Sequence, residues 1–181
     1  KSTKSSNHVA LFSKFHLKNH IVVRDLQNAG IVTVADTELG SISIAGVHLA
    51  PNTEDTRLAE IASIISKQKD CKHKVILGDL NSISPENIIK SRNFSNPNTP
   101  EPQVRHDVIK YIKKSGYIDT ALSVQKENIY TVPSTQDGDS EYYILRLDYI
   151  FLSDSFAERK IDYDVIVNKA TRMCSDHYPI I

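Results

Sequence analysis

The sequence predicts an α+β fold, a layered sandwich with helices outside the sheets. Three observations carry this. Short β-rich runs occupy both ends of the chain. A stretch of helical period interrupts them after residue 52 and another after residue 103. Between the helical stretches lies a strand-like run, "KVILGD", so strands and helices follow one another without the regular βαβ alternation of a doubly wound sheet.

The elements follow in order. "HVALFSKF" (8–15) reads as a short buried strand entering a turn, and "HIVVRDL" (20–26) as a second strand. Residues 31–36 and 41–49 alternate or run apolar around "TELG", which predicts a hairpin. From Thr53 the period changes: Leu58, Ile61, Ile65 and Gln68 fall on one helical stripe, with Ala62 and Ile64 beside it. Asn52 or Thr53 suits the N-cap, and Glu54 and Asp55 favour the first turn. After "KVILGD", residues 84–102 read as an irregular surface loop. "VRHDVIKYIKKSG" predicts a second helix, with Val108, Tyr111 and Ile112 as its stripe and Gly116 just past its end. A polar loop, 131–143, precedes the strand "ILRLDYIFL", and "IDYDVIVN" reads as a further strand.

The chain has 181 residues, 40% of them hydrophobic, which suits one soluble globular domain over 1–181. Lys+Arg and Asp+Glu are both 22, so a strongly basic nucleic-acid binder gains no support. The two cysteines, Cys71 and Cys174, match neither a zinc spacing nor a dense disulfide framework. This favours a reducing, cytoplasmic setting. No apolar run approaches the roughly 18 residues of a membrane helix. No secretory leader is visible, and a start at Lys1 together with an end at "SDHYPII" predicts a piece of a longer protein.

Four places bring polar chemistry to a strand end. In "SISIAGVHL", His48 ends an apolar face shared with Ile42, Ile44 and Gly46; a core histidine bonded to backbone is the plain alternative. In "VILGDLNS", Asp79 and Asn81 are two residues apart and can reach one phosphate or one hard metal ion. The alternative there is an Asx turn, with Asp79 bonding its own backbone. Asp148, in "LRLDYIFL", shares a face with Ile150 and Leu152, so its carboxylate needs a partner. Arg146 is one candidate, and a histidine is the other. In "CSDHYPI", Asp176 and His177 both serve one site only if the backbone turns; a polar turn capped by Ser175 is the alternative. Taken together, these residues suit hydrolysis at phosphorus, with oxygen ligands for Mg²⁺ or Mn²⁺ and a His/Asp pair to activate water.

The ordered motifs "GVHLAP", "VILGDLNS", "RLDYIFLS" and "SDHYPI" resemble those of the endonuclease/exonuclease/phosphatase superfamily of metal-dependent phosphoesterases. The likeness runs from about residue 8 to the end. It implies a four-layer α/β sandwich of two mostly antiparallel sheets flanked by helices. It also implies roles. His177 resembles the general base, Asp148 the carboxylate paired with a histidine, and Asp176 a metal ligand. Asp79 and Asn81 resemble the pair at the phosphate and metal, and His48 the histidine that stabilises phosphate oxygens or protonates the leaving group. The implied metal set is Asp79, Asn81, Asp176 and His177.

Two departures qualify the likeness. The family's early asparagine and its metal-binding glutamate lie upstream of the "ALFSK" element, and neither Glu38 nor Glu54 has that context. The chain is therefore expected to be an N-terminally incomplete domain. "TVPS" stands where the DNA-repair branch carries tryptophans, and the chain has no Trp, which disfavours an abasic-site nuclease. The expected function is a phosphodiesterase or nuclease acting on a phosphoester substrate, nucleic acid among the options, as a monomer without a membrane span. The rivals are a phosphomonoesterase or lipid-headgroup phosphatase on the same site, with 84–102 and 131–143 as selectivity loops, and a non-catalytic interaction domain.

Overall fold

The computed structural model describes residues 8–68, 70–87, 90–91, 104–126, 129–134 and 143–181. Its centre is one six-stranded sheet in the order β1-β2-β3-β4-β8-β6. The strands are β1 Leu17–Val22, β2 Ala29–Thr37, β3 Gly40–His48, β4 His73–Asp79, β6 Tyr117–Asp119 and β8 Asp148–Ser153. Every neighbouring pair is antiparallel except β3–β4. A parallel pair needs a crossover, and helix α1, Glu54–Lys67, supplies it. A second, two-stranded sheet pairs β5, Lys90–Ser91, with β7, Tyr143–Ile144. The fold class is α+β, as expected.

The predicted hairpin forms as β2–β3, with Gly40 at φ +93 closing its turn. Helix α1 begins where the caps placed it: the Thr53 hydroxyl accepts from the Thr56 N–H at 3.2 Å. Ile61 and Ile64 are fully buried, Leu58 and Ile65 pack at the margin, and the Gln68 amide donates to the Ser43 and Val75 carbonyls. Helix α2, Asp107–Lys114, stacks beside α1 and buries Val108, Ile109 and Ile112. Here the expected stripe shifts: Tyr111 turns outward and Ile109 takes its place. Gly116 sits at φ +82 just past the helix end, as expected. The core lies between these helices and the sheet, with Ala45, Val47, Ile76, Tyr149 and Phe151 facing Ile61, Ile64, Val108, Ile109 and Ile112. Strand β6 and helix α3, Thr120–Ser123, were not anticipated.

Three expected strands are corrected. Among the described residues, 8–15 pair with no strand, yet they cover one face of β3. A Cβ at Gly46 would lie 3.0 Å from Leu11 Cδ2, so the missing side chain there makes room for this segment. "IDYDVIVN" makes, among the described residues, a single bridge, Val165 to Ile180. "ILRLDYIFL" is interrupted: β7 ends at Ile144, Leu145 bridges to Val132, and β8 starts at Asp148. Of the two expected selectivity loops, residues 88–89, 92–102 and 135–142 lie outside the described residues.

Candidate active site

The sheet register collects the site. His48 is the last residue of β3 and stands opposite Asp79, the last residue of β4. Asp79 in turn stands opposite Asp148, the first residue of β8. Three side chains from three adjacent strands therefore reach one rim side by side. The His48 Nε2 lies 3.5 Å from Asp79 Oδ2.

The turn after β4 is shaped by two special backbone positions. Gly78 has φ +129, and a Cβ there would come within 2.0 Å of the Val47 carbonyl oxygen, so only glycine fits between β3 and β4. Asn81 adopts φ +47, a left-handed conformation that asparagine tolerates well. Its N–H donates to Asp79 Oδ1 at 2.8 Å, which closes an Asx turn. The structural alternative weighed for Asp79 is thus present together with its contact to His48. The Asn81 amide donates to the Leu49 carbonyl at 2.9 Å, fixing it against the end of β3. Behind this turn, buried Glu54 receives the Arg57 guanidinium, the Ser82 hydroxyl and the Val108 N–H, which ties the turn to both helices. The Tyr149 hydroxyl adds a tie to the Ser82 carbonyl at 2.9 Å.

Asp148 finds its partner across the molecule. His177 Nδ1 lies 2.7 Å from Asp148 Oδ2. Arg146, the neighbour expected as the alternative, points the other way: its Nη1 donates to Asp119 Oδ2 at 3.0 Å and its Nη2 to Asp119 Oδ1. That pair is buried, and the guanidinium lies 4.2 Å over the Tyr149 ring. The chain bends at 176–177, as both residues acting in one site requires. Ser175 caps this bend by accepting from the His177 N–H at 3.2 Å. Asp176 itself is exposed and accepts from the Ser175 hydroxyl.

Protonation follows from these contacts. The hydrogen bond to Asp148 is the main reason that the His177 imidazole is raised to about 9, against an opposing effect of burial; the charges of Asp148, Asp79 and Asp176 add to the rise. Burial raises the Asp79 carboxyl above its ordinary value, and the facing Asp148 raises it further, while the Asn81 N–H and the two histidines pull it down.

Among the described residues, no group of three or more His, Cys, Asp and Glu side chains is arranged to hold a metal ion. What the rim offers is a pair of carboxylates, Asp79 and Asp148, facing each other in register, with the Asn81 amide beside them. This does not make an all-protein cage. It does fit an Mg²⁺-type ion, which is commonly held by one or two carboxylates and completed by water and substrate phosphate.

Two contributors escaped the sequence reading. Thr131 and Ser134 sit in a stretch that looks like a polar loop, yet both are fully buried against the His177 and Asp148 segments. The Asp119–Arg146 pair joins residues 27 apart in sequence, and nothing local signals it.

No family model matches the chain by sequence, and no curated protein does. Solved structures do match. An endonuclease/exonuclease/phosphatase family protein from Leptotrichia buccalis aligns with a TM-score of 0.59 at 20% identity over 92% of this chain. Humanized D. rerio TDP2 gives 0.61 at 15% over 91%. The endonuclease domain of TRAS1, a telomere-specific non-LTR retrotransposon, gives 0.61 at 16% over 90%. The chain spans 60%, 65% and 66% of these three structures. Another D. rerio TDP2 structure, a complex with a single-strand DNA product, aligns with a TM-score of 0.59 at 15% identity over 91% of this chain and 66% of that one. The ordered strand-end residues and these alignments agree, and the chain has the endonuclease/exonuclease/phosphatase fold.

Proposed function

We propose that this chain forms the catalytic rim of a phosphoester hydrolase, most directly a phosphodiesterase or nuclease. The observation that carries the reading is the 2.7 Å His177–Asp148 pair on the same rim as Asp79, Asn81 and His48. Asp148 holds the Nδ1 proton, which leaves His177 Nε2 as the nitrogen that meets the reaction. With its proton affinity raised to about 9, Nε2–H is a donor at neutral pH and can neutralise phosphate charge. Once deprotonated, the same nitrogen is a strong base for the attacking water. Asp79 and Asn81 orient the scissile phosphate and the attacking oxygen, and His48 sits beside Asp79 where it can donate to a phosphate oxygen or to the leaving group.

A divalent cation, Mg²⁺ or Mn²⁺, is what the family likeness implies. When bound, it would supply charge stabilisation at the phosphoryl oxygens. Asp79 and Asn81 would hold it, beside Asp148 on the facing strand, with Asp176 as the further candidate from the ordered motifs; His177 would not, because Asp148 occupies its Nδ1 and its Nε2 serves the water.

A nucleic-acid substrate is favoured by the neighbours, which include an endonuclease domain and a complex with a single-strand DNA product. A cavity of about 260 Å³ opens beside Asn81, with Asn52, Arg57, Ser82 and Arg105 in its wall. Its lining, in which Glu54, Ile83 and Val104 join these polar groups, suits the sugar and base flanking a diester.

The test is hydrolysis of bis-(p-nitrophenyl) phosphate and p-nitrophenyl phosphate by the full-length protein, with Mg²⁺ and with EDTA. Cleavage of the diester that EDTA abolishes and that Asp79→Asn reduces by about 10²-fold supports the reading. Cleavage of the monoester alone moves the function to a phosphatase, and inertness toward both and toward single-stranded DNA refutes hydrolysis.

A further inference from the structure

Both halves of the His177–Asp148 pair hang from one short segment, residues 131–134. Thr131 is fully buried. Its hydroxyl oxygen accepts from the Leu147 N–H at 3.1 Å and from the Asp148 N–H at 3.2 Å, where β8 begins. Its main chain faces the other half: the Thr131 carbonyl accepts from the Tyr178 N–H at 2.7 Å. Ser134 completes the grip on that side. Its N–H donates to the Asp176 carbonyl at 2.7 Å, and its hydroxyl donates to the Ser175 carbonyl. The residues on both sides of His177 are thus bonded to the segment whose threonine also holds the backbone of Asp148.

This arrangement has a geometric consequence. His177 and Asp148 are 29 positions apart in sequence, and their side chains must meet at 2.7 Å. Carboxylate and imidazole are carried by separate pieces of chain, so an error in either would open the pair. A displacement of about 1 Å in such a pair can cost on the order of 10²-fold in rate. Referring both pieces to one buried anchor removes that error. Thr131 supplies the link that side-chain chemistry can test, because its hydroxyl alone satisfies two backbone donors at the start of β8.

We propose that Thr131 is a positioning residue for the hydrolytic reaction, its hydroxyl holding Asp148 at the distance that lets it engage His177 Nδ1. The inference rests on the hydrolase reading above. Thr131→Val keeps the shape and removes the acceptor, leaving the Leu147 and Asp148 N–H groups against a methyl. Thr131→Ser keeps the acceptor and removes a methyl.

The experiment compares these variants in the full-length protein by steady-state hydrolysis of bis-(p-nitrophenyl) phosphate and by proton NMR of the His177 Nδ1–H, which a short bond to a carboxylate moves to low field. Thr131→Val is expected to lower kcat by about 10-fold or more with KM within twofold, and to shift or broaden the low-field resonance. Thr131→Ser is expected to keep kcat within about threefold and to keep the resonance. The proposal is overturned if the valine variant retains both kcat and the resonance, or if the serine variant loses as much as the valine variant. Should the valine variant not fold, Thr131→Cys, of similar size and a weak acceptor, takes its place, and equal rates for Cys and Ser count against the proposal. A wild-type protein without hydrolase activity refutes the function instead, and the resonance still decides whether Thr131 sets the pair.

Discussion

Asp148→Asn keeps a group of the same size beside His177 Nδ1 and removes its charge. In the wild type, His177 is raised from 6.5 to about 9, chiefly by this contact. Such a rise corresponds to about 3 kcal/mol of preference for the imidazolium. A quarter of the His177 side chain faces water, so screening reduces the contribution to stability to about 1–2 kcal/mol. The sign follows from linkage. The folded-state value lies above the unfolded one, so the stabilisation is complete below pH 6.5 and is lost as pH rises through 9. Asp148→Asn should therefore melt below the wild type at pH 6, and the gap should close by about pH 9.5. Kinetics should show the same group. If neutral His177 takes the proton from water, kcat/KM of the wild type rises about tenfold per pH unit below 9, because only about 1% of the imidazole is neutral at pH 7. In Asp148→Asn the break should move toward the ordinary histidine value, with a lower plateau. The assay pairs pH–rate profiles with imidazole NMR titration of the metal-free protein. A wild-type His177 that titrates near 6.5, or a variant whose titration is unchanged, would mean that Asp148 does not set the His177 protonation.

Other perturbations read other parts of the site. Asp79→Asn removes a carboxylate that burial and Asp148 disfavour in its charged form, so at pH 7 the variant should melt no lower than the wild type while losing turnover; a fall in both would mean that Asp79 is chiefly structural. Gly78→Ala places a methyl 2.0 Å from the Val47 carbonyl at φ +129, and denaturant unfolding should show a loss of at least about 2 kcal/mol; a neutral result would refute the close approach of β3 and β4. Arg146→Met strands the buried Asp119 carboxylate and should cost about 3–5 kcal/mol, whereas Arg146→Met with Asp119→Leu should recover a good part of it. If the double variant is no more stable than the single one, Arg146 acts through something other than Asp119.

The parts of this molecule legible in the sequence are those where local chemistry has one consistent outcome. The change from strand alternation to helical period at Thr53 needs only neighbouring residues to be read, and the Thr53 cap confirms the position. The strand-end polar residues were legible for a related reason: a carboxylate or imidazole closing an apolar run needs a partner, and a sheet rim is where one is reached. What escaped is the choice of partner. On a continuous strand Arg146 and Asp148 would share a face, which made Arg146 the natural counter-ion. The chain is not continuous there. It passes from β7 of the two-stranded sheet, through the single bridge at Leu145, to β8 of the six-stranded sheet at Asp148, so Arg146 reaches Asp119 on β6 while Asp148 stays on the rim for His177.

The same break bears on residues 131–134, which read as the start of a polar loop and are buried. Proline, serine and the glycine and acidic residues that follow them are turn-formers by composition, and composition cannot reveal that a gap ahead of β8 leaves backbone N–H groups in need of acceptors. Leu147 lies in that gap and Asp148 at its edge, and the Thr131 hydroxyl meets both. Local irregularity in β8 and burial of a polar loop are thus two sides of one arrangement. On an uninterrupted strand Arg146 and Asp148 would share a face, in competition with His177. The interruption frees the carboxylate for the imidazole, and the polar loop satisfies the backbone left unpaired by it.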